Sequence, residues 1–257
     1  MIKPRNVYFV FLLFVLMIFL PVAGFCQGEA PAIEPRADKI LRQMSDYLNS
    51  LEKFSFHTEN TIDEIQTSGQ KLQFGHAVDV FVRRPDRLRV NIKGDIRHQE
   101  LYYDGKSITL YGKKVNYYAS LKAPAKIEAA LDHARESFSL EAPLADIIYR
   151  NSYEILSEGI NSGSYVGLHS VDGVECHHLA FTRDDIDVQI WIEKSKTPVP
   201  RKLIITAKWV TGAPQFTARL SGWDHSPKLK DRLFNFIPPK GAEKIEFLTV
   251  EKTSSQR

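Results

Sequence analysis

The chain has 257 residues, 43% hydrophobic and 25% charged, with a formal net charge of +3. That is enough chain for one large domain with a sizeable core, and so even a balance of charge offers none of the basic face that nucleic acid demands. Its two cysteines, Cys26 and Cys176, exclude a disulfide-rich scaffold.

The first element in chain order is an export signal. Lys3 and Arg5 precede an uncharged apolar run from Val7 to Leu20, Pro21 breaks it, and small residues follow at Ala23, Gly24 and Gly28. Residues 1–26 are therefore expected to be a signal peptide, cleaved after Gly24 or Cys26. The run falls short of the roughly 20 apolar residues that span a bilayer. Phe25 argues against lipidation of Cys26, which wants a small residue before it. Cleavage after Cys26 leaves one thiol, Cys176, and removal of the signal leaves no transmembrane segment in the mature chain.

Residues 27–34 read as a mobile lead-in. A helix is expected over residues 35–51. Pro35 suits its first turn, and Ile40, Leu41, Met44, Tyr47, Leu48 and Leu51 make one apolar stripe. From Phe54 the period falls to two. Leu72, Phe74, His76, Val78, Val80 and Val82 mark a long strand, which Arg84-Pro85-Asp86 ends. Strands are then expected over 88–92, 99–103, 107–111 and 115–120, with hairpin turns at Asp104-Gly105 and Gly112-Lys113. Helical spacing returns over 124–159, broken near Pro143 and Asn151-Ser152, so two or three short helices interrupt the strands. Strands resume over 165–169, 175–182, 188–193, 202–208 and 215–224, with Asp172-Gly173 as a further turn. Residues 233–239 and 242–248 read as closing edge strands, and 251–257 as a polar tail.

The fold class is α+β. About eleven antiparallel strands must curl because twist accumulates, giving an unclosed half-barrel whose concave face the helical insert covers. One domain over residues 35–250 is the economical organisation.

No residue pattern carries a catalytic signature. Cys176, His177 and His178 lie on one strand, where neighbours point to opposite faces, so the two histidines do not share an ion. The strand reads as structural, with an inward thiol and polar outward groups. Ser162-Gly163-Ser164 is no nucleophile elbow, and Asp184, Asp185 and Asp187 suit a hairpin turn. No metal, cofactor or catalytic residue is assigned.

Two stretches resemble the LolA group of lipoprotein carriers. One runs from Val82-Arg83-Arg84-Pro85-Asp86-Arg87-Leu88-Arg89 through Leu101-Tyr102-Tyr103-Asp104-Gly105-Lys106 to Leu110-Tyr111, and the other is Phe234-Asn235-Phe236-Ile237-Pro238-Pro239-Lys240-Gly241-Ala242. As a whole the chain is more similar to a family of predicted periplasmic proteins without established activity, through Arg36-Ala37-Asp38, Pro143-Leu144-Ala145-Asp146, Cys176-His177-His178-Leu179-Ala180-Phe181 and Pro200-Arg201-Lys202-Leu203. The resemblance implies an unclosed barrel with helices as a lid over an apolar cavity. It also implies that Arg84, before the proline, holds that lid by hydrogen bonds, for which a guanidinium offers five donors.

The expected function is a non-catalytic periplasmic binding or carrier protein for a lipid or lipidated protein. Phe74, Val80, Val82, Ile190, Leu203 and Ile205 would line its cavity. The other expectation is an interaction or sensor module of the same fold, its cavity plugged by the insert and its rim recognising a protein partner.

Overall fold

Apolar residues at helical spacing and a proline in the first turn produce helix α1 (Pro35–Ser50), which buries Ala37, Ile40, Leu41, Met44 and Leu48 along one side. Burying each of the larger of these side chains is worth about 1.5–3 kcal/mol relative to exposure. The computed structural model describes residues 32–138 and 143–247. The expected signal peptide, most of the lead-in and the polar tail lie outside the described residues.

The alternating segments give β1 (Lys53–Ile65), β2 (Lys71–Arg83), β3 (Arg87–Gly94), β4 (His98–Tyr103), β5 (Ser107–Gly112) and β6 (Tyr117–Lys122). Helices α2 (Ile127–Phe138), α3 (Ala145–Ile148) and α4 (Ser152–Ser157) follow. A second series comprises β7 (Ser162–Val171), β8 (Val174–Thr182), β9 (Ile186–Glu193), β10 (Pro200–Ala207), β11 (Gln215–Asp224) and the short β12 (Glu243–Ile245). They build one curved, unclosed sheet of 12 strands in the order β12-β6-β5-β4-β3-β2-β1-β11-β10-β9-β8-β7. Apart from β12, which lies beside β6, each series is a meander of neighbours. The two are joined where β1 pairs antiparallel with β11, at Thr58 opposite Leu220 and Asn60 opposite Ala218.

Turn chemistry explains the meanders. Asp172 and Gly173 both take positive φ, 50° and 80°, as a two-residue hairpin between twisted strands requires. The Asp104 carboxylate accepts from the amides of Lys106 and Ser107 at 3.0 and 2.8 Å, closing the β4–β5 turn.

The closing segment differs from expectation. Phe234 follows a single 3-10 turn at Asp231–Leu233, and residues 234–239 join no ladder. They run as a strap over the outer face, where Phe236 packs against Tyr102, Tyr111 and Tyr118. Its aromatic alternation mimics a strand, but Pro238 and Pro239 have no amide to give a ladder. The last strand, β12, pairs with β6 parallel rather than antiparallel, because the strap has already carried the chain across.

Candidate functional site: the concave face and its helical cover

Strand register sorts the side chains into two faces. On β1, Phe54, Phe56, Thr58 and Asn60 face inward, and β2 sets Val82, Val80, Val78 and His76 directly beside them. Phe54, Phe56, Val80, Val82, Ile190 and Leu203 belong to one continuous core with residues of α1, with Ile127, Ala130 and Ala134 of α2, and with Ile147 and Ile148 of α3. The helices therefore sit directly on the concave face. Farther along the strands the cover thins. Val90, Ile92, Leu101, Val188, Ile205 and Phe216 are only partly buried against the core, Phe74 is half-buried, and Ile62 beside it is 39% exposed. Among the expected cavity residues, Val80, Val82, Ile190 and Leu203 thus lie beneath helices, whereas Phe74 and Ile205 lie on the thinly covered part.

Arg84 joins the sheet to its cover. It follows the last residue of β2 and is 6% exposed. One terminal nitrogen donates to the carbonyls of Leu48 and Leu51 at 2.7 and 2.6 Å, and the other to Ile148 at 2.6 Å. These oxygens terminate α1 and α3, where carbonyls lack intrahelical partners and the helix dipole favours a cation. Burial pushes the guanidinium down to about 10, the nearby Arg150 adding to the effect. Arg183, between β8 and β9, does the same for α4: it donates to Ile155 and Leu156 at 3.0 and 2.9 Å. Nothing in the sequence marked Arg183, since its partners lie far off in the chain. The only available signal was an arginine in a turn rich in aspartates.

A polar row crosses the inner face. Thr58 and Asn60 are 0% and 4% exposed, and the Thr58 hydroxyl donates to Asn60 Oδ1 at 2.5 Å. Asn60 Nδ2 lies 3.2 Å from His76 Nε2. His76 is half-buried, and burial lowers its pKa, helped by the positive charge of Arg97. Gly94 opposite lets β3 approach closely, since a Cβ there would fall 2.4 Å from His76 Cβ and 2.6 Å from the Gly75 carbonyl oxygen. The alternation had placed His76 in the apolar stripe without giving it a partner.

The chemistry-bearing residues elsewhere do not assemble a reactive centre. Cys176 faces outward, not inward: it is 0% exposed in a separate outer cluster with Val171 and Trp191, and burial pushes its thiol up to about 11. Regular pairing with β9 sets this phase, with Leu179 opposite the inward Ile190 and His178 opposite the outward Trp191. His178 stacks on Trp191 with centroids 3.9 Å apart, and its ring lies 3.1 Å from that of His169. His177 turns inward and meets the Tyr165 hydroxyl at 3.2 Å. Asp184 accepts from Asn161 at 2.6 Å and Asp187 pairs with Lys208 at 3.2 Å, so both serve the turn. Among the described residues no three His, Cys, Asp or Glu side chains gather as a metal site.

Two open cavities flank the core. One of about 390 Å³ lies between α1 and the β9–β10 turn, lined by Ile40, Tyr47, His177, Ile192, Lys196 and Pro198. The other, about 260 Å³, lies beneath the strap among Tyr102, Thr109, Tyr118, Ser120 and Phe236.

Residues 37–248 match the family described as "Predicted periplasmic protein (DUF2092)". The chain belongs to that family. This DUF2092 protein has no match among curated proteins. Among solved structures it is similar to the Mycobacterium tuberculosis lipoprotein LppX, at 14% identity and TM-score 0.49, over 77% of this chain and 100% of that one. An uncharacterized conserved protein from Thermus thermophilus aligns at 10% identity and TM-score 0.48, covering 82% and 99%. A LolA superfamily protein from Nitrosomonas europaea aligns at 13% identity and TM-score 0.38, covering 78% and 97%. No helix among the described residues is long and apolar enough to cross a membrane.

Proposed function

We propose that this protein is a non-catalytic periplasmic binding or carrier protein for a lipid or the acyl part of a lipidated protein, exported with residues 1–26 removed and working as one domain over residues 35–250. The observation that carries this reading is the concave face. Apart from Thr58, Asn60 and His76 it is apolar from Phe54 and Val82 out to Phe74 and Ile205, and helices cover its inner part through backbone carbonyls held by Arg84. Such a cover opens without breaking a covalent or sheet contact. A cargo chain would first meet Phe74 and Ile205 and reach Val80, Val82, Ile190 and Leu203 once the helices lift. An apolar concavity with a few placed polar groups is the usual form of a small-ligand site.

Native mass spectrometry of the protein purified from periplasm tests this. Lipid adducts, or adducts formed on adding acyl lipids, are expected. Bare polypeptide in both cases would end the reading.

The alternative, a rim-binding interaction module with a plugged cavity, is favoured by the continuity of the helices with the core. It predicts the bare polypeptide, with no gain in lipid binding when Arg84 is replaced.

A further inference from the structure

We propose that Thr58, Asn60 and His76 form a hydrogen-bonding row that receives the ester carbonyl of an acyl lipid lying on the concave face. This rests on the lipid-binding reading above.

Polar side chains on a buried sheet face carry a desolvation cost unless they are paired. Here Thr58 and Asn60 stand among Phe56, Val78, Ala218 and Leu220, all buried. Pairing within the row uses only part of its capacity. The Thr58 hydroxyl occupies Asn60 Oδ1, and one Asn60 N–H goes to His76 Nε2. Accepting that bond places the imidazole proton on Nδ1. His76 Nδ1–H and the second Asn60 N–H have no partner among the described residues. The row therefore offers two donors, and burial disfavours the charged form of the imidazole.

Two uncharged donors match a neutral acceptor such as an ester carbonyl; Arg97, whose charge acts on His76, is an exposed residue outside the row. The position fits as well. Asn60 and His76 face each other across β1 and β2, and the next inward pair is Ile62 and Phe74 at the thinly covered end. Ile92, Leu101 and Leu110 continue the apolar face on the adjoining strands. A carbonyl at the row would leave its acyl chain on that apolar surface.

The test compares 1-palmitoyl lysophosphatidylcholine with its 1-O-hexadecyl ether, which differ at the carbonyl alone, by titration into the full mature protein. The ester is expected to bind about tenfold more tightly, the effect of one or two neutral hydrogen bonds. His76→Phe and Asn60→Leu, checked for folding by circular dichroism, are each expected to reduce that ratio severalfold. Equal affinity of the two lipids for the wild-type protein overturns the proposal while lipid binding stands. So does an ester preference that survives in a folded variant. If neither lipid binds, the row and the lipid-binding reading fall together.

Discussion

Arg83 and Arg84 are consecutive residues whose guanidinium groups serve opposite faces of the sheet. Arg84 reaches inward to the carbonyls of Leu48, Leu51 and Ile148. Arg83 reaches outward to the carbonyl of Leu229 at 3.1 Å and the carboxylate of Asp231 at 2.5 Å, at the root of the strap. Strand alternation produces the division, so one end of β2 fastens both coverings.

Arg84→Met is expected to destabilise the fold by about 3 kcal/mol, because it leaves buried carbonyls without charged donors. Urea denaturation measures the loss. Amide exchange should rise first in α1 and α3. Arg84→Lys should restore little, since one ammonium on a flexible stem does not reproduce the fork that spans three oxygens. An Arg84→Met protein with unchanged exchange in α3 would remove the clasp.

The outer strap divides into a deep and a shallow anchor. Phe234 is 0% exposed, with Arg83 5.1 Å over its ring, and Phe234→Ala should cost about 3–5 kcal/mol. Phe236 is half-buried on three tyrosines, and its truncation should cost about 1–2 kcal/mol through lost ring contacts. Arg83→Met should cost under about 1 kcal/mol because its ion pair is exposed. Thermal or denaturant midpoints that fail to follow this order would contradict the strap as an anchored element.

His57 gives the fold a pH dependence of known sign. A hydrogen bond to Asp79 at 2.7 Å, then one to Glu59 at 3.0 Å, raises its pKa above the ordinary histidine value. A raised folded-state pKa stabilises most below the unfolded value, and that contribution disappears as pH climbs through the folded one. The stability of wild type relative to His57→Gln should therefore fall as pH rises from about 5.5 to about 8.5. A difference that stays flat or grows over that window would contradict the assignment.

Gly94→Ala probes the polar row from behind. The new Cβ would lie 2.4 Å from His76 Cβ and 2.6 Å from the Gly75 carbonyl oxygen, so backbone must move. The expected cost is about 1–3 kcal/mol. Replacing His76 with alanine in the same chain should recover little of it, because alanine keeps the Cα and Cβ that the new methyl meets and the Gly75 carbonyl stays in place. Substantial recovery would contradict this account of the close approach.

Local chemistry was the readable part of this chain. The run from Leu72 to Val82 announces its strand by alternation alone, and Asp172-Gly173 announces its turn by the φ values those residues tolerate. Long-range choices left no such mark. The outward phase of Cys176 follows from which residues of β9 lie opposite β8, a long-range register. Phe234-Asn235-Phe236 alternates as a strand would, yet its partners are tyrosines on the sheet's back. On the site, the family resemblance pointed to Arg84 through the Arg-Pro turn, while Arg183 binds carbonyls 27 and 28 residues away. Thr58 and Asn60 read as ordinary strand residues until register set them beside His76.

The order of strands has a mechanical corollary. The segment carrying α2, α3 and α4 leaves β6, which only the short β12 separates from one border of the sheet, and re-enters at β7, the opposite border. It must therefore arch over the whole hollow, fixed at both banks like the handle of a bucket. Arg84 and Arg183 pin it along its length, at Ile148 and at Ile155 and Leu156. On the carrier reading proposed above, such a handle would swing about its two banks without coming loose, and those two arginines would be the latches it has to release.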